Sequence, residues 1–188
     1  MWAVPLIESR KEKAKAQSVL NCLILEIEDE LNELPRRLAK MAETLTSLKS
    51  LQAGFPEVGR PCKYVPRSTN LYFLKSTTEF SFGLLNMDQR YAIKSLFFQI
   101  IAIDEYLQAI KSTKINDKTL DEAINNCKRY LFTGSSMLNT MRLIAKYSQG
   151  NLSNDDKIII EEIFVELDIK LNSDDLKIKS TTNFENVG

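Results

Sequence analysis

Apolar residues recur at alternating steps of four and three near the start of the chain. The nine members of this seam are Leu20, Ile24, Ile27, Leu31, Leu34, Leu38, Met41, Leu45 and Leu48. Such heptad spacing is typical of a helix that packs along one face against other helices. Because Pro35 removes a helix hydrogen bond but leaves the register intact, we predict one kinked helix from about residue 6 to 51. The alternative is two helices with a short break at residue 35.

Three later segments repeat the pattern. The segment 87–112 has Ile93, Leu96, Ile100, Ile103, Leu107 and Ile110 at steps of three and four, and Phe97, Phe98 and Ile101 widen its apolar face. We expect it to be the most buried helix. The next segment runs from Leu120 to about Met141 in the same spacing, and the last carries Ile159, Ile160, Ile163, Phe164 and Leu167.

Polar residues at the segment boundaries predict helix starts. Asn86 is a favourable N-cap for the third helix, Thr119 with Glu122 has the spacing of a capping box, and Ser153 or Asn154 is expected to cap the last helix. Gly134 lies within the seam of the fourth segment. Its lack of a side chain favours a close approach between helices.

These segments predict an all-α protein. The architecture is an antiparallel four-helix bundle with a kinked long first helix and a short extra helix in the first crossover, between Ser68 or Thr69 and Phe82. Alternation of Phe80, Phe82 and Leu84 leaves a hairpin open as the alternative for that element. We predict a single helical-bundle domain over 1–172 and a polar, disordered tail over 173–188.

The long loop at 53–67 is a candidate binding site for a partner. It holds three of the five prolines, and it mixes aromatic with basic side chains, namely Phe55, Arg60, Lys63, Tyr64 and Arg67. Such side chains suit a phosphate group or an acidic protein partner. A solvated crossover that covers one end of the bundle is the structural alternative.

Charge gives no reason to expect a nucleic-acid partner. The chain has 25 basic and 25 acidic residues, so its net charge is zero, and the helices have no basic face. The first helix carries an acidic run, consisting of Glu26, Glu28, Asp29, Glu30 and Glu33. A solvated helix surface accounts for this run without any chemistry.

The chain contains no histidine. This excludes histidine-based acid-base and nucleophilic catalysis and the common imidazole metal sites, including the ferritin-like di-iron centre of helical bundles. Phosphate-binding glycine loops and CxxC pairs are also missing from the sequence. We therefore predict no catalytic residues, no metal and no cofactor. Of the acids, Asp104 within the apolar third segment would be of interest if buried.

The three cysteines show no paired spacing. Cys22 and Cys127 fall within helical patterns and are expected to be small core residues, while Cys62 lies in the long loop. Free cysteine is commonly buried in this way. An odd number of cysteines without a disulfide framework favours a reducing compartment.

The first residues have the order found on the inner side of a membrane. Trp2 and Pro5 are followed by Arg10, Lys11, Lys13 and Lys15, as an interfacial aromatic residue is followed by positive charge on the cytoplasmic side. An ordinary N-terminus that docks on the bundle is the equal alternative. We predict a cytoplasmic domain, with tethering to the inner face of the membrane as the more specific hypothesis.

The segment from Val65 to Phe98 resembles one in a group of bacterial proteins of unknown role. The similarity is carried by Pro66 and Tyr72, the turn Gly83-Leu84-Leu85, and Ile93 with Phe97. Proteins of that group join an N-terminal transmembrane helix to a cytoplasmic helical bundle. The resemblance implies a helical bundle near a membrane, and it brings no catalytic residue with it.

The pattern as a whole favours a non-enzymatic helical-bundle interaction domain with a protein partner. A small-ligand or lipid-binding bundle, with Phe97, Phe98, Tyr106 and Met141 around a pocket, is the first alternative. A carboxylate-based enzyme is the second. A seam of this length is satisfied either inside one chain or between two copies, so a homo-oligomer is also open.

Overall fold

The computed structural model describes residues 3–54, 64–145 and 155–178, and within these ranges it is helical without strands. The α-helices are α1 (Ala3–Gln52), α2 (Phe73–Phe80), α3 (Met87–Ser112), α4 (Leu120–Ile144) and α5 (Asp156–Glu166); short 3₁₀ turns lie at Phe82–Leu84 and Ser173–Leu176. The all-α bundle with a long first helix and a short helix in the first crossover is therefore confirmed.

The first helix is continuous through its proline. It contains 50 residues, including Pro35, and spans about 75 Å. Leu34 and Leu38 on either side of the proline are both fully buried, and so are Ile27 and Leu45 further away. The prediction of one helix that keeps the same face inward across Pro35 is thus confirmed, while the kink at Pro35 stays a prediction.

Helix α4 is the centre of the bundle. It packs against α1, α3 and α5. It runs antiparallel to α3, since Gln89 at the start of α3 donates to the carbonyl of Ile144 at the end of α4. It also runs antiparallel to α1, since Gln52 donates to Asp121 while Leu38 lies against Gly134.

The expectation that α3 is the most buried helix is wrong. Fifteen of the 25 residues of α4 are buried, against seven of the 26 residues of α3. Phe97, Phe98 and Ile101, expected to widen the buried face of α3, are exposed. The physical reason is position, because α4 is covered by three helices while α3 lies at the edge of the bundle.

Gly134 marks a close approach of α1 and α4. A β-carbon at this position would lie 2.7 Å from Cδ2 of Leu38, well inside van der Waals contact. Leu38 is fully buried, so it has little room to move aside. The predicted packing role of Gly134 agrees with this geometry.

The predicted helix starts have different outcomes. Asn86 caps α3 with a complete capping box, in which its side chain accepts from Gln89 N–H and Gln89 accepts from Asn86 N–H. The box at Thr119 is absent, because the Thr119 hydroxyl donates to the carbonyl of Lys114 and makes no cap bond. The cap of α5 is Asp155, while Ser153 and Asn154 lie outside the described residues.

Helix α5 ends in a left-handed residue. Asp168 has φ +52°, and the amide of Ile169 donates back to the carbonyl of Phe164 at 2.9 Å while that of Asp168 donates to Val165 at 3.2 Å. This is the Schellman pattern, in which glycine normally occupies the left-handed position. The turn sends the chain back toward the N-terminal end of α4.

Residues 173–178 do not form a tail. Asn172 and Asp175 make a second capping box around the 3₁₀ turn, and Leu176 is buried in the common core. Lys49 of α1 forms an ion pair with Asp175 at 2.7 Å. The predicted boundary at 172 is therefore too early, because an apolar residue and a cap follow it; residues 179–188 lie outside the described ranges.

Candidate interaction surface

A buried polar cluster lies beside the returning end of the first crossover. We call Glu30, Arg37 and Thr69 the inner cluster. Arg37 pairs with the carboxylate of Glu30 and donates to the hydroxyl of Thr69 and to the carbonyl of Arg67, at 3.2 Å each. Because Glu30 and Arg37 are seven residues apart, their ion pair spans Pro35 along α1. The cluster joins the crossover to the helix at its proline.

Burial sets the protonation properties of this region. Burial lowers the pKa of Arg37, and the nearby Tyr130 acts in the opposite direction. An arginine side chain nevertheless stays charged in a protein, so Glu30 keeps its cation. Burial also raises the pKa of Tyr130 above its ordinary value, against the effect of the Arg37 charge. These groups are enclosed, which suits a structural role.

Of the five loop residues predicted to bind a partner, Tyr64 and Arg67 lie within the described ranges. Arg67 is exposed and its guanidinium lies 3.9 Å from the carboxylate of Glu33, while Tyr64 is half-buried near Arg37. Phe55, Arg60 and Lys63 lie outside the described residues. The backbone at Arg67 holds the inner cluster, and its side chain remains open to solvent.

The acidic run on α1 is not simply a solvated surface. Glu26 accepts the backbone amides of Tyr72 and Phe73, at 3.1 and 3.0 Å, which satisfies donors at the start of α2. Glu30 is buried in the inner cluster. The interpretation of the run as a solvated surface is therefore wrong for these two acids. Their partners lie in the crossover, about 40 residues further along the chain, and the charge pattern of α1 alone does not reveal them.

A second heptad pattern lies on the outward face of α3. Its members, which we call the outer stripe, follow steps of four and three: Met87, Tyr91, Lys94, Phe98, Ile101 and Glu105. Met87, Tyr91 and Phe98 are 77%, 76% and 74% exposed. Large apolar side chains at this spacing are normally covered by another helix.

A groove adjoins the outer stripe on the side of α2. It has a volume of about 230 Å³ and is lined by residues 69–72, 74 and 75 and by Phe97, Ile100, Ile101 and Asp104 of α3. Tyr72 at its rim is 80% exposed. One carboxylate oxygen of Asp104 is buried without a hydrogen-bond partner among the described residues. The lining of the groove is thus mainly apolar, with Thr69, Asn70, Lys75 and Asp104 as its polar members.

The four residues predicted to surround an internal ligand pocket are not brought together. Met141 is fully buried on α4 and Tyr106 is half-buried, whereas Phe97 and Phe98 face outward. Phe97 alone of the four lines the groove. The prediction failed because all four were assigned to one inner face of α3 and α4.

The spacing of the outer stripe is present in the sequence, but the sequence analysis does not predict a second, exposed face on α3. The four apolar residues Met87, Tyr91, Phe98 and Ile101 have heptad spacing of their own, offset from the buried series that contains Ile93 and Leu96. The prediction that Phe98 and Ile101 widen one buried face treats the two series as one. Two offset apolar series on one helix indicate two contact faces.

The described ranges contain no group of three or more Cys, Asp or Glu side chains that could hold a metal ion. Of the two cysteines described, Cys127 is buried in the core, as expected, and Cys22 is half-buried. None of the helices in this part of the chain is long and apolar enough to cross a membrane. No family model, curated protein or solved structure matches the chain.

Proposed function

We propose that this protein is a non-enzymatic interaction domain, in which the bundle is a rigid support and the outer stripe of α3 is the contact surface. The observation that carries the proposal is the exposure of large apolar residues at heptad spacing on a helix whose other face is in the core. Of the fourteen large apolar residues that are exposed within the described ranges, nine fall within the 30 residues from Tyr72 to Ile101. Clustered apolar exposure marks binding surfaces more often than scattered exposure does.

The composition of this surface supports a protein partner. The outer stripe and the rim of the groove beside it carry several aromatic residues and one methionine, and Tyr72, Tyr91 and Phe98 are each exposed by more than two thirds. These side chains supply large contact areas at a small cost in conformational entropy, and they are enriched in the centres of protein interfaces.

A photo-crosslinking residue tests this proposal in the native cell. Benzoylphenylalanine at position 98 should form a defined covalent adduct with a protein, because Phe98 lies at the centre of the outer stripe. The matched control is the same residue at Val165, an exposed apolar position on α5. Adducts of equal yield at the two positions, or no adduct at position 98, would refute the outer stripe as the contact surface.

The second part of the proposal is a location at the inner face of a membrane. Its support is the order of Trp2, Pro5 and the following basic residues, of which Arg10, Lys11 and Lys13 are exposed at the start of α1. Exposed basic residues next to an anionic leaflet contribute about 1 kcal/mol each. Flotation with vesicles that contain anionic lipid should carry the protein upward, and reversal of these three charges should abolish it. Equal flotation of the reversed variant would refute this part.

A further inference from the structure

The outer stripe has an arrangement of charge that matches a second copy of itself. The symmetry lies in the part of the outer stripe from Lys94 to Glu105, where Phe98 and Ile101 form the apolar centre, at residue 99.5 on average. Lys94 lies 5.5 positions before that centre and Glu105 lies 5.5 positions after it. Both charged residues are exposed on the same face of α3. A stripe with opposite charges at equal distances from an apolar centre is self-complementary when one copy is reversed.

We propose that α3 pairs with α3 of a second copy of this chain, in antiparallel orientation about a two-fold axis through the outer stripe. This inference rests on the proposed function and specifies its partner. Phe98 of each copy then faces Ile101 of the other, and Lys94 of each faces Glu105 of the other. In heptad notation Phe98 and Glu105 occupy a positions, and Lys94 and Ile101 occupy d positions. Each of these pairs therefore joins an a position to a d position, as antiparallel helices require.

The reversed orientation follows from the same charges. A parallel pair in register would place Lys94 against Lys94 and Glu105 against Glu105 in the two copies. Like charges opposed across an interface are strongly unfavourable. The antiparallel pair instead makes two equivalent ion pairs, one at each end of the apolar centre.

The residues beside the outer stripe fit a close contact. Ser95 and Ala102 follow Lys94 and Ile101 on one flank, and their small side chains allow a second helix to approach. Phe97 and Asp104 lie on the other flank, where the groove begins. The ammonium of Lys94 lies 5.7 Å from the ring of Phe82 within its own copy, a weak contact that leaves it available.

Charge-reversal variants test both the partner and the orientation. The wild-type chain should self-associate in sedimentation equilibrium at low salt over about 1 µM to about 1 mM. Lys94→Glu alone and Glu105→Lys alone should each weaken self-association at least about tenfold. An equimolar mixture of the two variants should restore association, because each opposed pair then has opposite signs. The double variant Lys94→Glu/Glu105→Lys should also associate like the wild type.

Each alternative result has a definite meaning. A wild-type chain that stays monomeric over the whole range overturns self-pairing, and so does association that neither reversal weakens. Weakening without rescue in the mixture overturns the antiparallel arrangement. Thermal unfolding of each variant confirms that the exposed substitutions leave the fold intact. An adduct of Phe98 with a different protein in the cell would overturn this inference while it supports the proposed function, and an absence of any adduct would count against both.

Discussion

Helices α3 and α4 have nearly the same length and the same apolar period, yet they have different environments. Helix α4 buries polar residues such as Asn126 and Asn139, while α3 leaves Phe98 exposed. The difference comes from their neighbours, since α4 is surrounded by α1, α3 and α5. Apolar content therefore does not rank helices by burial in this fold. An edge helix with apolar residues on two faces leaves one of those faces exposed to solvent.

The largest expected change in stability is in the buried part of the molecule, at the inner cluster. Arg37→Met should lower the free energy of unfolding by about 3 to 5 kcal/mol, because the carboxylate of Glu30 would remain buried without a cation. Denaturant unfolding measures the change. The exposed neighbour Arg36 supplies the control variant Arg36→Met, which should have little effect.

The double variant Glu30→Gln/Arg37→Met sharpens the same test. With both charges removed, the penalty of an unpaired buried charge disappears, so the double variant should be more stable than Arg37→Met alone. Equal stability of the two would show that the ion pair does not govern this site.

A matched pair of truncations compares the two helices directly. Leu131→Ala on α4 should cost about 2 to 5 kcal/mol, because Leu131 is fully buried. Phe98→Ala on α3 should change the stability of the dilute monomer by no more than about 0.5 kcal/mol, because its ring is already in water. Similar losses in the two variants would mean that the outer stripe is covered within the monomer.

The alkaline limb of the stability curve reports on Tyr130 of α4. Its raised pKa in the folded state means that above pH 10 the unfolded chain loses this proton first. The unfolded state then binds fewer protons, so stability falls with rising pH, by up to about 1.4 kcal/mol per pH unit from this residue. Tyr130→Phe should flatten the fall, measured by denaturant unfolding between pH 9 and pH 11.

The exposed Tyr91 on α3 provides the control for that measurement. Tyr91 is 76% exposed, so Tyr91→Phe makes the same chemical change as Tyr130→Phe without altering a buried hydroxyl. An equal flattening in both variants would contradict the assignment of the effect to burial of Tyr130.

The smallest effect is expected where the chain turns back over α4. The left-handed conformation of Asp168 is unfavourable for a residue with a β-carbon, whereas glycine adopts it freely. Asp168→Gly should therefore raise the free energy of unfolding by about 0.5 to 1 kcal/mol. The exposed ion pair with Lys170 that it loses is worth little. Thermal unfolding should show a higher midpoint, and a lower one would mean that the Asp168 side chain stabilises the turn.

The fold could be predicted because helix period and seam register are local properties. The seam across Pro35 indicated one helix, and Asn86 with Gln89 contained its own capping signal. Thr119 had the same local signal, but its hydroxyl found the carbonyl of Lys114 in a tight turn instead. The tail boundary was missed because the docking of Leu176 depends on core contacts far away in sequence.

The candidate surface was harder to predict than the fold. The sequence alone does not distinguish a buried apolar residue from an exposed one. The spacing of Phe98 therefore predicted a core position, and the packing of α3 at the edge of the bundle shows that it is exposed. Glu26 and Glu30 looked solvated because their partners Tyr72, Phe73 and Arg37 depend on how the crossover returns along α1. An exposed apolar residue is distinguished from a buried one only by its neighbours in three dimensions.

Pro35 also has a consequence for local motion. It cannot donate to the carbonyl of Leu31, so the hydrogen-bond ladder of α1 lacks one link there. The cover of α1 differs on the two sides, with α2 bound through Glu26 before it and α4 packed against Leu38 after it. We expect native-state hydrogen exchange to divide this single helix into two units, with the amides before residue 30 opening together with α2 while the second half stays closed on α4.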